Sequence, residues 1–447
     1  MSGYIRRIRG FSRDIKLFLL YNLLVNVGFG VFQLIFNLYL YGLALREDYI
    51  GAFNAVQTLA MAAAAVTMGT LLNRFGTWRC ITAGASLFLV VSFALALAEQ
   101  PALLLILAAF NGVGLSFLFT ATMPFVIEWT KRDQRPDVAA LSFSLISLAT
   151  TVGALVGGLV PGAMARVLPG VGPGSVEAYR WTLVAGTSVA AFGLIPLFSM
   201  GPARHGKPRE DHAAARDAED DATRRRTRRD MGTFILIGGL MSLGAGMVMP
   251  FYNVYLTTLG ASAREVGYVY AAGGLSAALI GLAAPAVARQ FGSLRAVVLV
   301  RASIIPFYLL LILSPTYALA VAAHLIRQTS ISMAWPLDST FIAEVLPPRA
   351  RAGVFGQRSA AWNLGFSGAS LLGGAIIVRS GYDWTFASLI TFTALSASVF
   401  WVYFGRHPLV RSGQIPSALP RSQRPSAPGR PASPADAEPV PETANAD

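Results

Sequence analysis

The chain has 447 residues, of which 54% are hydrophobic and 13% charged, with a mean hydropathy of +0.55. Soluble domains carry about 25% charged residues, so this composition excludes an ordinary soluble protein and points to a bilayer. The single cysteine, Cys80, excludes an intramolecular disulfide and a cysteine-built metal site, and the formal charge of +13 is read as topogenic, not as a nucleic-acid surface.

Crossing a bilayer as a helix takes about 20 apolar residues, and twelve runs meet that length: 15–41, 49–72, 78–98, 101–128, 138–162, 179–199, 231–258, 264–288, 294–313, 316–344, 351–378 and 382–404. The basic start, Met1 to Lys16, leads into a run longer than the roughly 7–15 residues of a signal h-region, so it is expected to stay as a first helix. Helices are the economical choice because every backbone N–H and C=O must be satisfied within its own segment. The expected organisation is a cytoplasmic segment 1–14, a six-helix bundle 15–199, a basic linker 200–230, a second six-helix bundle 231–404 and a disordered cytoplasmic tail 405–447. Within the linker an acidic patch from Asp217 to Asp221 precedes Arg224-Arg225-Arg226-Thr227-Arg228-Arg229. That basic run reads either as an anionic-lipid or partner site or as a stop-transfer flank. The Pro-, Ser- and Ala-rich tail from about Ser412 cannot bury enough apolar surface to order itself.

The two bundles are copies of one unit. A constant offset of 216 residues carries Gly28 to Gly244, Gly30 to Gly246 and Asn37-Leu38-Tyr39-Leu40 to Asn253-Val254-Tyr255-Leu256. It also carries Gly51 to Gly267, Phe75-Gly76-Thr77-Trp78-Arg79 to Phe291-Gly292-Ser293-Leu294-Arg295, Glu128 to Glu344, Arg135 to Arg351 and Gly157-Gly158 to Gly373-Gly374. With the N-terminus inside, 28 of the Lys and Arg residues fall on the cytoplasmic side and five on the other, while Arg301, Arg327 and Arg358 lie within predicted helices. Such an asymmetry predicts that both termini are cytoplasmic, in an inner membrane.

The turn after the second span, Gly69-Thr70-Leu71-Leu72-Asn73-Arg74-Phe75-Gly76-Thr77-Trp78-Arg79, resembles the G-x-L-x-(D/N)-R-x-G-x-x-R motif of the major facilitator superfamily. The resemblance covers roughly residues 12–405. It implies an all-α membrane fold of twelve helices in two pseudo-symmetric six-helix bundles, rocking about a central cavity. Asn73 stands where the family usually has Asp, and the second copy keeps only Gly292 and Arg295 of the motif. Phe341-Ile342-Ala343-Glu344, Pro347-Pro348 and Arg351-Ala352-Gly353 look like the family's end of helix 10 and its loop. Gly153-Ala154-Leu155-Val156-Gly157-Gly158 resembles an exporter pattern with Ala154 in place of Pro, or else serves simple close packing.

Asn22, Asn26, Gln33 and Asn37 fall within about 60° on the first helix. They form a carboxamide stripe that must meet protein or a water-filled cavity, either as a substrate-contacting face or as interhelical hydrogen bonds. Asn253 echoes it in the second half. On the tenth helix His324, Arg327 and Asp338 share one side, with Trp335 on the flank, within an arc of about 80°. Asp338 is the candidate proton-titrating carboxylate, with His324 beside it, and a fixed ion pair with Arg301 or Arg358 is the competing reading. Arg327 is a candidate anion or substrate contact, as is Trp335. Arg327 opens an R-Q pattern similar to the family's arginine motif, which is normally on helix 4, where Phe110-Asn111-Gly112 stands here. The family's architecture implies a cytoplasmic gate from Asn73, Arg74, Arg79, Glu128, Arg295, Glu344, Arg351 and Arg358.

Glycine pairs such as Gly273-Gly274 lack the Lys-Ser/Thr of a phosphate loop, and no metal-ligand spacing occurs. The expectation is no catalytic residue, cofactor, metal or nucleic acid, and hence no enzyme. What remains is a functionally monomeric secondary transporter moving a small organic solute, with proton coupling. Export of a drug-like or amphipathic solute as an antiporter leads, with uptake of a sugar or organic anion, or a non-transporting receptor, as alternatives.

Overall fold

The computed structural model describes residues 11–130, 134–201, 221–412 and 415, and these form helices and no strand. Residues 1–10, Lys131, Arg132, the linker's 202–220 with most of its acidic patch, and nearly all of the tail lie outside the described residues.

Twelve helical rods follow in chain order. In the first half they are α1 (Arg13–Gly42), α2 (Glu47–Phe75), α3 (Thr77–Leu97), α4 (Pro101–Trp129), α5 (Arg135–Val167) and α6 (Val176–Phe192, continued by Leu194–Phe198). In the second half they are α7 (Asp221–Val248, continued through Met249–Phe251 to Tyr252–Thr258), α8 (Ala263–Gly281, then Ala284–Phe291) and α9 (Ser293–Ala302, then Ile304–Leu313). The chain closes with α10 (Tyr317–Val345), α11 (Pro348–Ser380) and α12 (Asp383–Gly405). Ten are long and apolar enough to cross a membrane, and an eleventh qualifies if the two parts of α8, bent by 47°, count as one span. The remaining rod is α10, whose expected charges lower its hydropathy. The arginine run assigned to the linker instead forms the first turns of α7, because Arg is a good helix former and neither Gly nor Pro interrupts it.

Local breaks follow from proline. Pro250 lacks an N–H, and α7 unwinds there into one 3₁₀ turn. Pro196, Pro285 and Pro306 similarly sit just beyond the breaks in α6, α8 and α9. The basic turns need glycine for another reason: Gly76 (φ +82°) and Gly292 (φ +81°) are left-handed, and they occupy equivalent positions. Arg135 and Arg351 also match, since Nε of each donates to the carbonyl five residues earlier, Thr130 at 3.4 Å and Leu346 at 3.0 Å. These charged caps satisfy carbonyls left over at the ends of α4 and α10.

The halves meet at the end opposite the basic turns, the far end. There α2 packs on α11 and α5 on α8. Gly158 and Gly267 touch so closely that a Cβ on either would lie 2.7 Å from the other's Cα. A Cβ on Gly51 would strike the Ser370 carbonyl, and one on Gly374 that of Glu47. Tyr382 Oη donates to Glu47 Oε1 at 2.8 Å, and Ser367 Oγ to the Ala55 carbonyl at 3.0 Å. One apolar core spans both halves here, joining Leu34, Ile35 and Phe36 to Phe251, Val254 and Leu256.

Toward the basic end the halves part. Each has its own core, Phe18, Phe125 and Leu197 in one and Phe234, Phe341 and Phe404 in the other. The buried residues of α2 cluster at its start (Glu47, Ile50, Gly51, Phe53, Ala55), followed only by Met68. Gly69, Gly76 and Gly356 face open space. Among the described residues the molecule is therefore closed at the far end and open at the basic end.

Candidate functional site

Beneath the far-end seam lies a cavity of about 200 Å³ between the halves. Its carboxamides are Gln33 and Asn37 from α1, Asn54 from α2, Asn253 from the broken segment of α7 and Gln328 from α10. Thr150 and Thr151 of α5, Tyr270 of α8, and His324 and Arg327 of α10 add hydroxyls, an imidazole and a guanidinium. No carboxylate is among the described residues that line it.

Helical spacing of three places His324 and Arg327 on one face. Arg327 Nη2 lies 3.1 Å from His324 Nδ1. Arg327 carries its protons obligatorily, so it donates, and the imidazole proton sits on Nε2. The guanidinium lies over the Tyr252 ring, 5.1 Å from its centroid, and Tyr252 is itself held by its hydroxyl donating to the Ala320 carbonyl at 2.7 Å. Gly273 leaves room for the imidazole, because a Cβ there would come within 2.8 Å of Cδ2 and Nε2. Arg327 Nε and Nη1 and His324 Nε2 are buried with no hydrogen-bond partner among the described residues. Arg327 and His324 thus bring a guanidinium and an imidazole to the wall of a cavity otherwise lined by neutral polar and apolar groups, a place suited to an anionic or hydroxyl-rich solute.

The carboxamide stripe of α1 divides. Gln33 and Asn37 reach this cavity, whereas Asn22 and Asn26 line a void of about 20 Å³ against α4 and α5. Asn26 Nδ2 donates to its own helix at the Asn22 carbonyl, 2.8 Å away. The roughly 22 Å between Asn22 and Asn37 along the axis is too long for one small solute. Asn37 and Asn253 also cross the seam, with Nδ2 of Asn37 donating to the Pro250 carbonyl at 2.6 Å and Nδ2 of Asn253 to the Leu34 carbonyl at 2.7 Å.

Asp338 lies elsewhere, deeper in the second half. Arg301 of α9 directs Nη2 to both its oxygens at 2.7 Å, and Arg358 of α11 donates Nη2 to Oδ2. Arg301 packs over Phe400 of α12, and Arg358 over Trp335 and against Gly238 of α7. Both alternatives for the ion pair are realised at once, and one carboxylate serves two guanidiniums. Trp335 is 64% exposed and flanks this cluster, not the cavity. At the position equivalent to Arg327, Asn111 accepts from Gln57 Nε2 at 2.7 Å and donates to Ser92 Oγ at 3.3 Å, a neutral substitute for the arginine.

The expected gate residues are distributed over the basic end. Glu128 Oε2 accepts from Thr77 Oγ1 at 2.6 Å, tying α4 to the start of α3. Arg74 stacks on its neighbour Phe75, and Asn73 and Arg79 are exposed while Glu344 is half-buried. Arg351 caps α10, Arg295 lines a groove between α9 and α12, and Arg358 is drawn into the Asp338 cluster. Sequence reasoning missed Asn54, Thr150, Thr151, Tyr270 and Gln328. Only Gln328 carried a signal, as the second letter of the R-Q pattern. Of the seam glycines, Gly51, Gly267 and Gly374 stood out only as repeat positions, while Gly158 also belongs to the pattern read as exporter-like or as close packing.

Among solved structures of the same architecture, the nucleoside transporter NupG is 15% identical, with 88% of this chain and 99% of that chain covered at a TM-score of 0.69. A bacterial homologue of the human lysosomal transporter Spinster, inward-facing and unoccupied, is 13% identical over 87% of this chain and 96% of its own, at 0.66. A D-xylose–proton symporter is 16% identical over 89% and 97%, at 0.63. At these identities the shared property is the fold. None of the curated proteins matches the sequence. The family model of the Major Facilitator Superfamily matches residues 18–356 and again 234–434. With its two equivalent helical halves closing over a polar cavity, the chain belongs to the major facilitator superfamily.

Proposed function

We propose that the protein is a secondary transporter for a small polar solute bearing an anionic group, working by alternating access. The basic end is then cytoplasmic, and the conformation is the one open to that side. The observation that carries this reading is Arg327, a guanidinium lining a cavity of five carboxamides and no carboxylate. A cationic amphipath would meet a guanidinium and no counter-charge there. The packing alternative for the glycine pattern on α5 is supported by its contacts: Gly153 seats the Val27 carbonyl, Gly157 lies against Val31 and Gly158 against Gly267. Two solved structures of like fold are named for a nucleoside and a sugar, which agrees with a polar cargo.

Asp338 acts here as a fixed counter-ion, because protonating it would leave two buried guanidiniums uncompensated. Coupling to protons would then reside in the solute or in His324. The direct test is uptake into proteoliposomes of sugar acids, organic anions, neutral sugars and cationic dyes, with Arg327→Gln and Arg327→Lys beside the wild type. An anionic solute should be carried, and Arg327→Gln should weaken it about tenfold or more, with Arg327→Lys between the two. Carriage of a cationic dye that is indifferent to Arg327→Gln overturns the reading.

A further inference from the structure

Away from the cavity, a groove of about 890 Å³ runs between the basic ends of α7 and α12. Arg225, Arg226 and Arg229 line it from α7 and Arg406 from the end of α12, over a floor that includes Val399 and Val402. The single carboxylate among the described lining residues is already engaged. Asp230 accepts from Tyr403 Oη at 2.8 Å, and His407 Nε2 lies 3.3 Å from its Oδ1. Arg226 Nη2 and His407 Nδ1 are buried with no hydrogen-bond partner among the described residues. Arg226 donates Nε–H to His407 Nε2 at 3.4 Å, and four guanidiniums line one groove beside a single carboxylate, an excess of positive charge that an anion would balance.

The floor identifies the kind of anion. Val402 is 51% exposed, and on its other side a second groove of about 560 Å³, walled by Leu299, Ile305 and Trp401, has Arg295 among its lining residues. Thus α12 stands between two apolar channels with arginines at their basic ends. A free phosphate would use the arginines alone, whereas a phospholipid uses both the cations and the channel walls. We propose that the α7–α12 groove binds an anionic phospholipid, its phosphate on Arg226 and Arg229 and an acyl chain along Val399 and Val402. The site is independent of which solute the cavity carries.

Helical spacing supplies the control: Arg224 and Arg228 belong to the same run but do not line the groove. The test is native mass spectrometry of the full chain in detergent, titrated with phosphatidylglycerol and with phosphatidylcholine of the same acyl chains. Phosphatidylglycerol should bind about tenfold more tightly. Arg226→Gln with Arg229→Gln should abolish that preference, while Arg224→Gln with Arg228→Gln, an identical loss of charge, should change it by no more than about twofold. Val402→Trp, which keeps every arginine, should also weaken phosphatidylglycerol, and it decides the matter if the arginine variant does not fold. Equal binding of the two lipids, an equal effect of the two double variants, or displacement of the lipid by millimolar inorganic phosphate would each overturn the assignment.

Discussion

Asn37 and Asn253, 216 residues apart, exchange equivalent hydrogen bonds across the molecule: each donates to a carbonyl of the opposite half, and those carbonyls, on Pro250 and Leu34, are themselves one repeat apart. The seam is thus two-fold symmetric down to single bonds, although one acceptor lies in a continuous helix and the other in a proline break. An interhelical hydrogen bond in a membrane contributes about 0.6 kcal/mol. Asn37→Ala and Asn253→Ala should each shift the population toward far-end opening by about threefold. Spin labels on Val167 and Arg379, in a Cys80→Ser background, would report the shift as a longer distance. A strong effect from one and none from the other would break the symmetry.

Gly374 and Gly69 lie on the helices of one seam but in opposite circumstances. A Cβ at Gly374 meets the Glu47 carbonyl, and one at Gly69 meets nothing. Overpacking costs about 1–3 kcal/mol, so Gly374→Val should depopulate the far-end-closed state by roughly tenfold or more while Gly69→Val leaves it unchanged. The same labels measure both, and equal behaviour would remove the seam's steric basis.

Removing the charge of Asp338 strands Arg301 and Arg358 in the interior. Loss of one partner of a buried pair costs about 3–5 kcal/mol, so Asp338→Asn should unfold at clearly lower temperature or denaturant, whereas Arg327→Gln should not. Replacing the whole cluster, with Arg301→Met, Asp338→Thr and Arg358→Met together, should recover part of the loss. A stable Asp338→Asn that fails only in proton movement would restore Asp338 as the coupling group.

Arg135→Gln and Arg351→Gln remove matching caps. Each should loosen the last turn of its helix by about 1 kcal/mol or less, read as up to about fivefold faster amide exchange at the ends of α4 and α10. Unequal effects would mean that the two turns have diverged.

The repeat and the helices were legible because offset and apolarity are written in side chains. The offset that aligned Gly51 with Gly267 aligns their seams, and left-handed Gly76 and Gly292 mark the same turn. The acceptors were not legible, since the carbonyls of Leu34 and Pro250 carry no residue identity. Nor could spacing on α10 alone separate His324 and Arg327 from Asp338, which share its face but have partners on different helices. The arc gave a side of a helix, and α9 and α11 decided which part of that side faces solute and which faces arginine. Likewise, the four carboxamides on α1 satisfy one angular rule, but their axial spread places two of them away from the cavity.

The Asp338 cluster also constrains how the chain is made. Arg301 precedes its counter-ion by 37 residues, and Arg358 follows it by 20. While α9 is the newest helix at the ribosome, it carries an arginine with no carboxylate yet synthesised to meet it. A central arginine disfavours insertion by about 2.5–3.5 kcal/mol, so α9 should enter the lipid most easily together with α10, which carries its counter-ion, and α11, which shares it. The first half holds Ala85, Thr122 and Ser142 at the three equivalent positions, so no buried charge cluster of this kind ties its helices together during insertion.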